Sequence, residues 1–220
     1  MGREDTSRLL YGQRAMANDR PRRRRPEQAR SRQRVQTILT AATELIAERG
    51  TEPPSMTEIA ERAGMGLTAL YRYFPNKQSI LRELSLQVLE FNRQSFVTPL
   101  VDSDAPIEEL IRDSITAYWH LHRDEPFRLR LRVAIHGDAE LSALDLADSR
   151  QNALLFADQI SQDGTDGYSS TVRHVFLIIS LLDSLMLTAI QLSREEADAL
   201  VDDFADMAVS LLGGASRKSP

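Results

Sequence analysis

Apolar residues recur along most of this chain at steps of three and four, the repeat of a helix with one buried face; no strand-like alternation is visible. Val35, Ile38, Leu39, Ala42, Leu45 and Ile46 form such a face over about residues 32–48, and Gly50 should end the helix. Pro53 and Pro54 then mark a bend. Ser55 with Glu58 three residues later is a capping box, so a helix is expected from Met56, with Ile59, Ala60 and Ala63 inward. Gly64 can take the left-handed backbone that closes this helix, and Gly66 leaves room for a second sharp bend. The next helix is expected from Leu67 to about Phe74, with Leu70 and Phe74 buried and Pro75 as its stop. A longer helix from Asn76 to about Phe96 turns Ile80, Leu81, Leu84, Val88 and Leu89 inward, and Pro99 to Pro106 reads as a turn-rich linker.

The rest of the pattern is also helical. Ala105 to His122 carries Ile107, Leu110, Ile111, Ile115, Tyr118 and Trp119 on one broad face. Glu125 to His136 has Pro126 in a favourable first-turn position and ends at Gly137. Asp138 to Ser161 is longer and more polar, and Gly164 and Gly167 break the chain after it. Ser169 to Leu192 is apolar nearly all round, which calls for burial on several sides. Ser193 and Glu196 form a second capping box, opening a helix to about Leu212.

Two short helices joined by a tight turn at residues 55–77 make a helix-turn-helix, whose second helix enters the major groove of DNA and reads base edges from its first turn. Leu67, Thr68, Ala69 and Arg72 are left facing outward, while Tyr71, Tyr73 and Lys77 can reach phosphates. The same pattern also fits an ordinary helical corner with solvated side chains.

Residues 34–84 resemble the DNA-binding domain of the tetracycline-repressor (TetR) family. The likeness rests on RVQTILTAATELIAERG, on MTEIAERAG, and above all on the specific tract ALYRYFPNK. It implies a three-helix DNA-binding domain whose following helix connects it to an effector-binding domain, with the tilt of that helix moving the reading heads. It also implies that the last two helices of each subunit form a four-helix bundle across a two-fold axis. The tract departs from the family at Gly66, usually a capping Ser, at Leu67, more often polar or basic, and at Ala69, usually Thr. Fewer polar groups then reach DNA from this turn, which leaves the operator sequence open.

Charge sharpens the picture. The chain has 220 residues and a net charge of −5, yet residues 20–34 hold eight arginines against one glutamate, so the remainder is strongly acidic. Two prolines and clustered like charges suggest a mobile cationic arm that follows phosphates or enters a minor groove. The candidate DNA-contacting residues are therefore Arg22, Arg23, Arg24, Arg25 and Arg34, with Thr57, Gly66, Leu67, Thr68, Ala69, Tyr71, Arg72, Tyr73 and Lys77. There are no cysteines, which excludes disulfides, thiolate metal sites and cysteine nucleophiles and fits a cytoplasmic protein. No signal peptide is apparent, and Val175–Ile190, interrupted by Asp183, is short for a membrane span.

His120, His122, His136 and His174 lack metal-ligand spacing, and no nucleophile–base pair stands out, so neither a metal, a cofactor nor an enzyme is expected. The resemblance implies instead a small-molecule effector enclosed among the C-terminal helices. Its candidate walls are Tyr118, Trp119, Phe127, Phe156, Phe176 and Met186, and its candidate polar anchors Arg128, Arg132 and Asp183. Asp183, a carboxylate in an apolar helix, needs a partner: Arg173, the other subunit or a cationic ligand.

The expected protein is all-α. A basic arm (residues 1–30) precedes a helix-turn-helix domain (31–78), a helical effector-binding and dimerisation domain (79–214) and a tail (215–220). It would bind a double-stranded DNA operator as a homodimer and act as a repressor released by an effector. The alternatives are an activator of the same fold and a ligand-binding protein whose DNA head has decayed.

Overall fold

The computed structural model describes residues 21–49, 52–101, 103, 105–160 and 166–213, and these contain helices and turns with no strand. In chain order the helices are α1 (Pro21–Arg49), α2 (Met56–Arg62), α3 (Leu67–Tyr71), α4 (Lys77–Asn92), α5 (Thr98–Val101), α6 (Ile107–Asp124), α7 (Phe127–His136), α8 (Ala139–Ile160), α9 (Asp166–Ala189) and α10 (Arg194–Gly213). A π-helical turn, Arg93–Val97, joins α4 to α5. The expectations for residues 1–20, Gly50, Gly164 and the tail lie outside the described residues.

The chain falls into two compact units, one ending at Gln36 and the other starting at Thr37. In the first, α1 begins at Pro21 rather than near Arg32, so the sequence expected as an unstructured arm is helical from there on. Proline suits the first position of a helix, and Arg, Gln and Ala are strong helix formers, which here prevails over like-charge repulsion. Arg30, Arg32 and Arg34 are exposed.

In the second unit, Ile38, Leu39, Ala42, Leu45 and Ile46 of α1 are buried, as are Ile59, Ala60 and Ala63, Leu70 and Phe74, and Ile80, Leu81 and Leu84. The α2–α3 unit is held by local chemistry. Ser55 caps α2 by accepting from the Glu58 amide, and the Glu58 carboxylate accepts in return from the Ser55 amide at 2.8 Å. Gly64, at φ +64°, ends α2 in a Schellman turn: the Met65 amide donates to the Ala60 carbonyl and the Gly64 amide to that of Glu61. Arg62 then ties α2 back to α1 by donating to Glu48 at 2.7 Å and 2.8 Å and to Glu44 at 3.3 Å.

Helix α3 is shorter than its apolar spacing predicts. After Tyr71 the regular helix gives way to a turn in which the Tyr73 and Phe74 amides both donate to the Leu70 carbonyl, and this turn carries Phe74 into the core. Asn76 caps α4 by accepting from the Ser79 amide at 2.8 Å.

Helix α4 packs on α7 and α8, and α6, α8, α9 and α10 surround a second core of Ile111, Ile115, Trp119, Met186 and Val201 among others. The linker expected from Pro99 is partly helical: α5 continues the π-helical turn without a break, and Pro99, which has no amide to donate, follows directly on the wide turn closed by the Thr98 amide on the Arg93 carbonyl. Gly167 likewise lies inside α9 instead of breaking the chain before it. Residues Ser169–Ala189 of α9 are long and apolar enough to cross a membrane by composition, with mean hydropathy 1.6. The helix is nonetheless packed into the body along one side, where Val175, Ile178, Leu185 and Met186 are buried. It is not buried all round: Leu177 is 47% exposed and Leu181 40%, and Met207 of α10 is 45% exposed. Among the described residues nothing buries those sides.

Because Leu70 is fully buried, Leu70→Ala should lower the unfolding free energy in urea by roughly 2–5 kcal/mol, whereas exposed Thr68→Ala should change it by no more than about 0.5 kcal/mol.

Candidate functional site

The first surface to consider is the outer side of α2 and α3. Thr57, Gly66 and Thr68 are exposed, with Leu67 at 37%, Tyr71 at 48% and Arg72 also exposed; Ala69, Tyr73 and Lys77 are half-buried. Gly66 occupies the N-cap position of α3 and supplies no side-chain cap, so its carbonyl alone receives the Ala69 and Leu70 amides. Among the described residues neither Arg72 nor Lys77 pairs with a carboxylate, in contrast to Arg62. The surface is thus a short helix with two available cations, two phenols and a compact apolar tip. Arg34 is exposed on the first unit, and the side chains of Arg22, Arg23, Arg24 and Arg25 lie outside the described residues.

The second feature is a cavity of about 140 Å³ among α4, the π-helical turn, α6, α7, α8 and α9. Of the residues expected there, it brings together Tyr118, Arg132, Phe156 and Asp183. Five others are elsewhere. Met186 is fully buried in the core, and Trp119 is buried with its indole donating to Asp198 of α10 at 2.8 Å. Phe176 packs against the core beside Arg150. Arg128, buried and bonded to Glu125 at 2.7 Å, lies over the Phe91 ring at 4.3 Å and close to Phe127. Size and helical spacing do not separate these core positions from a cavity wall.

Polar groups gather at one end of the cavity. Arg132 donates to Asp183 and, at 2.9 Å and 3.4 Å, to both oxygens of Asp145, and Tyr118 donates to Asp183 at 3.0 Å. Arg132 is therefore the partner that Asp183 required. Burial raises the Asp183 carboxyl above its ordinary pKa, against the pull of Arg132 and the Tyr118 hydroxyl. Burial would lower Arg132, but Asp183, Tyr118 and Asp145 around it prevail and hold it charged. The Tyr118 phenol is pushed well above its usual range by burial and by Asp183.

Residues the sequence reading missed complete this end. Asp148 accepts from Arg93 of the π-helical turn at 2.6 Å and from the Asn152 amide nitrogen at 2.8 Å. Phe96 of the same turn meets Tyr118 edge-on, with ring centroids 5.3 Å apart. The signal for α8 was present: Asp145, Asp148, Asn152 and Phe156 fall at helical spacing on one face, but a polar stripe of this kind ordinarily reads as solvated.

Comparison with known proteins fits this arrangement. Residues 38–84 match the bacterial regulatory proteins of the tetR family, and residues 105–213 match the tetracyclin repressor-like C-terminal domain. An uncharacterised HTH-type transcriptional regulator of Mycobacterium tuberculosis is 27% identical over 188 residues, which span 83% of this chain and 88% of that protein. The fold is shared with a TetR-family regulator of Mesorhizobium loti at TM-score 0.60 and 20% identity, over 83% of this chain and 98% of the other. A Streptomyces coelicolor TetR-family regulator gives TM-score 0.60 and 19% identity, over 86% and 90%.

His122 generates a pH prediction. Its ring is buried against Tyr118 at 4.1 Å, and its Nδ1–H donates to the Tyr118 carbonyl at 2.9 Å. Burial, aided by the charges of Arg128 and Arg132, lowers its pKa from 6.5 to about 4, despite the opposing effects of that bond and Glu125. The unfolded chain then binds the extra proton first, so this contribution to stability is complete above pH 6.5 and is lost as pH falls towards 4. Urea unfolding at pH 5 should show a loss of about 2 kcal/mol relative to pH 7 that His122→Gln removes.

Proposed function

The chain belongs to the tetR family of bacterial regulatory proteins and is a DNA-binding transcriptional regulator, and from that premise we propose that it is a cytoplasmic, homodimeric repressor released by a small molecule. Members of the family bind DNA operators and dimerise. Residues 31–78 act as the reading domain and residues 79–214 as the effector and dimerisation domain. The observation that carries the reading is the outer side of α3, where Leu67, Thr68 and Arg72 stand exposed and Arg72 has no protein carboxylate to neutralise it. Leu67, Thr68 and Ala69 meet base edges, Tyr71, Tyr73 and Lys77 meet phosphates, and Thr57 and Gly66 border the groove. Arg22, Arg23, Arg24, Arg25 and Arg34 add sequence-independent attraction that salt weakens.

The dimer forms through α9 and α10, whose exposed Leu177, Leu181 and Met207 supply the apolar surface such an interface needs. The effector occupies the cavity lined by Tyr118, Arg132, Phe156 and Asp183. Helix α4 links the two functions: Lys77 opens it beside the reading helix, Leu89 and Asn92 near its other end line the cavity, and so do Phe96 and Val97 of the π-helical turn. An effector that fits one tilt of α4 better than another lowers DNA affinity by that difference in free energy.

Arg72→Glu and Lys77→Glu should each abolish retention of a selected DNA fragment in a gel shift while the mass in solution stays that of a dimer; unchanged retention would count against the assignment. Leu177→Glu combined with Leu181→Glu should give a monomer by sedimentation, and a dimer that persists would place the interface elsewhere.

A further inference from the structure

Asn152 of α8 lines the cavity and is 7% exposed, and its Oδ1 has no hydrogen-bond partner among the described residues. Its amide cannot simply be turned over to relieve this. The nitrogen donates to the Asp148 carboxylate at 2.8 Å, and exchanging the two atoms would set an oxygen against that carboxylate. A buried acceptor without a donor is costly, and Asn152 belongs to the cavity wall.

The other polar groups at this end constrain the ligand's charge. Arg132, the one cation in the lining among the described residues, is already bonded to Asp183 and to both oxygens of Asp145. Asp148 and Asp183 line the same cavity; with Arg93 on Asp148 and Arg132 on Asp183 and Asp145, three carboxylates stand against two guanidiniums, so an entering anion meets an excess of negative charge and an Arg132 already occupied. The acceptor left without a partner in this wall is Asn152 Oδ1; Arg93, outside the lining, keeps its Nε–H unpartnered among the described residues while another of its nitrogens holds Asp148. The remainder of the wall is apolar, with Phe96, Ile115, Phe156 and Ile178 contributing.

We infer that the effector is a mainly apolar molecule, neutral or cationic, whose hydroxyl or amine donates a hydrogen bond to Asn152 Oδ1, and that apolar carboxylates are rejected. This rests on the reading of the cavity as the effector site given above. The ligand's donor replaces the interaction Oδ1 lacks, while its skeleton lies along the apolar wall between α4 and α9. Because Asn152 also holds Asp148, which in turn holds Arg93 of the π-helical turn, binding here acts next to the end of α4.

The test is calorimetric titration of the full chain with four probes sharing one skeleton: octanol, octyl methyl ether, octylamine and octanoate. Octanol and octylamine should each bind about tenfold or more tighter than the ether, which lacks the donor, and than octanoate. In Asn152→Leu, octanol and the ether should bind equally. An ether that matches octanol in the unaltered protein, tightest binding of octanoate, or no binding by any probe would overturn the inference. If Asn152→Leu does not fold, the order among the four probes on the unaltered protein decides. Retention of selected DNA fragments by the same preparation is measured separately. A failed probe order with DNA retained removes only the ligand class, whereas a kept order with no DNA retained removes the regulator and leaves the ligand class standing.

Discussion

Helix α4 is the constraint on which the account depends. It is capped at Asn76, immediately after the reading helix, and its 16 residues bury Ile80, Leu81 and Leu84 before presenting Leu89 and Asn92 to the cavity. A helix of that length spans roughly 24 Å and transmits a displacement at one end as a tilt at the other. Its far end passes into a π-helical turn, a form that is seldom stable without support and recurs at functional sites. Here the support comes from Arg93 on Asp148 and from Phe96 against Tyr118, which attach the turn to α8 and α6. The cavity is therefore bounded by the part of the connecting helix whose geometry is most easily altered.

The polar cluster beside it gives the C-terminal helices a fixed relation to one another. Arg132 of α7 reaches Asp145 of α8 and Asp183 of α9, so three helices share one partly buried guanidinium, and Tyr118 brings in α6. Such a network contributes less to net stability than to a particular arrangement, because the attraction mostly offsets desolvation, while loss of a single member leaves an uncompensated charge. On the reading proposed above, the same cluster bears on what the cavity holds: its carboxylates and its cation engage one another, and Asn152 Oδ1 is the acceptor left without a partner among the described residues. Specificity of this kind arises from groups left without partners as much as from the apolar wall.

Much of the fold was legible in the sequence, and the reasons are local. Ser55 with Glu58, Ser193 with Glu196, and Gly64 each specify a helix end through bonds made within a few residues, and all three occur as written. Leu70 and Phe74 are buried as their spacing requires. The cavity was less legible because it depends on how helices distant in sequence are set against one another. Trp119 and Met186 look like wall residues by type, yet tertiary packing places them in the core. Asp148 and Asn152 look solvated, yet α8 turns them inward. The π-helical turn was not expected from the sequence, and Pro99 signalled a linker where the chain instead stays helical through that turn. The face of α9 carrying Leu177 and Leu181 reads as buried in sequence and is exposed in one chain, a discrepancy that a second copy would remove.

The absence of cysteine permits a direct measurement of the central claim, that α4 carries the state of the cavity to the reading helices of a dimer. A single spin label at Gln78→Cys, an exposed position in the first turn of α4, reports the separation of the two copies by pulsed electron paramagnetic resonance. Bound to a selected duplex, the pair should show one narrow distance set by successive major grooves, about 34–36 Å apart between reading helices. Addition of a cavity ligand should move that distance to a new value as the DNA is released. The absence of any distance between copies, or a distance that stays the same when the cavity is filled, would contradict the account.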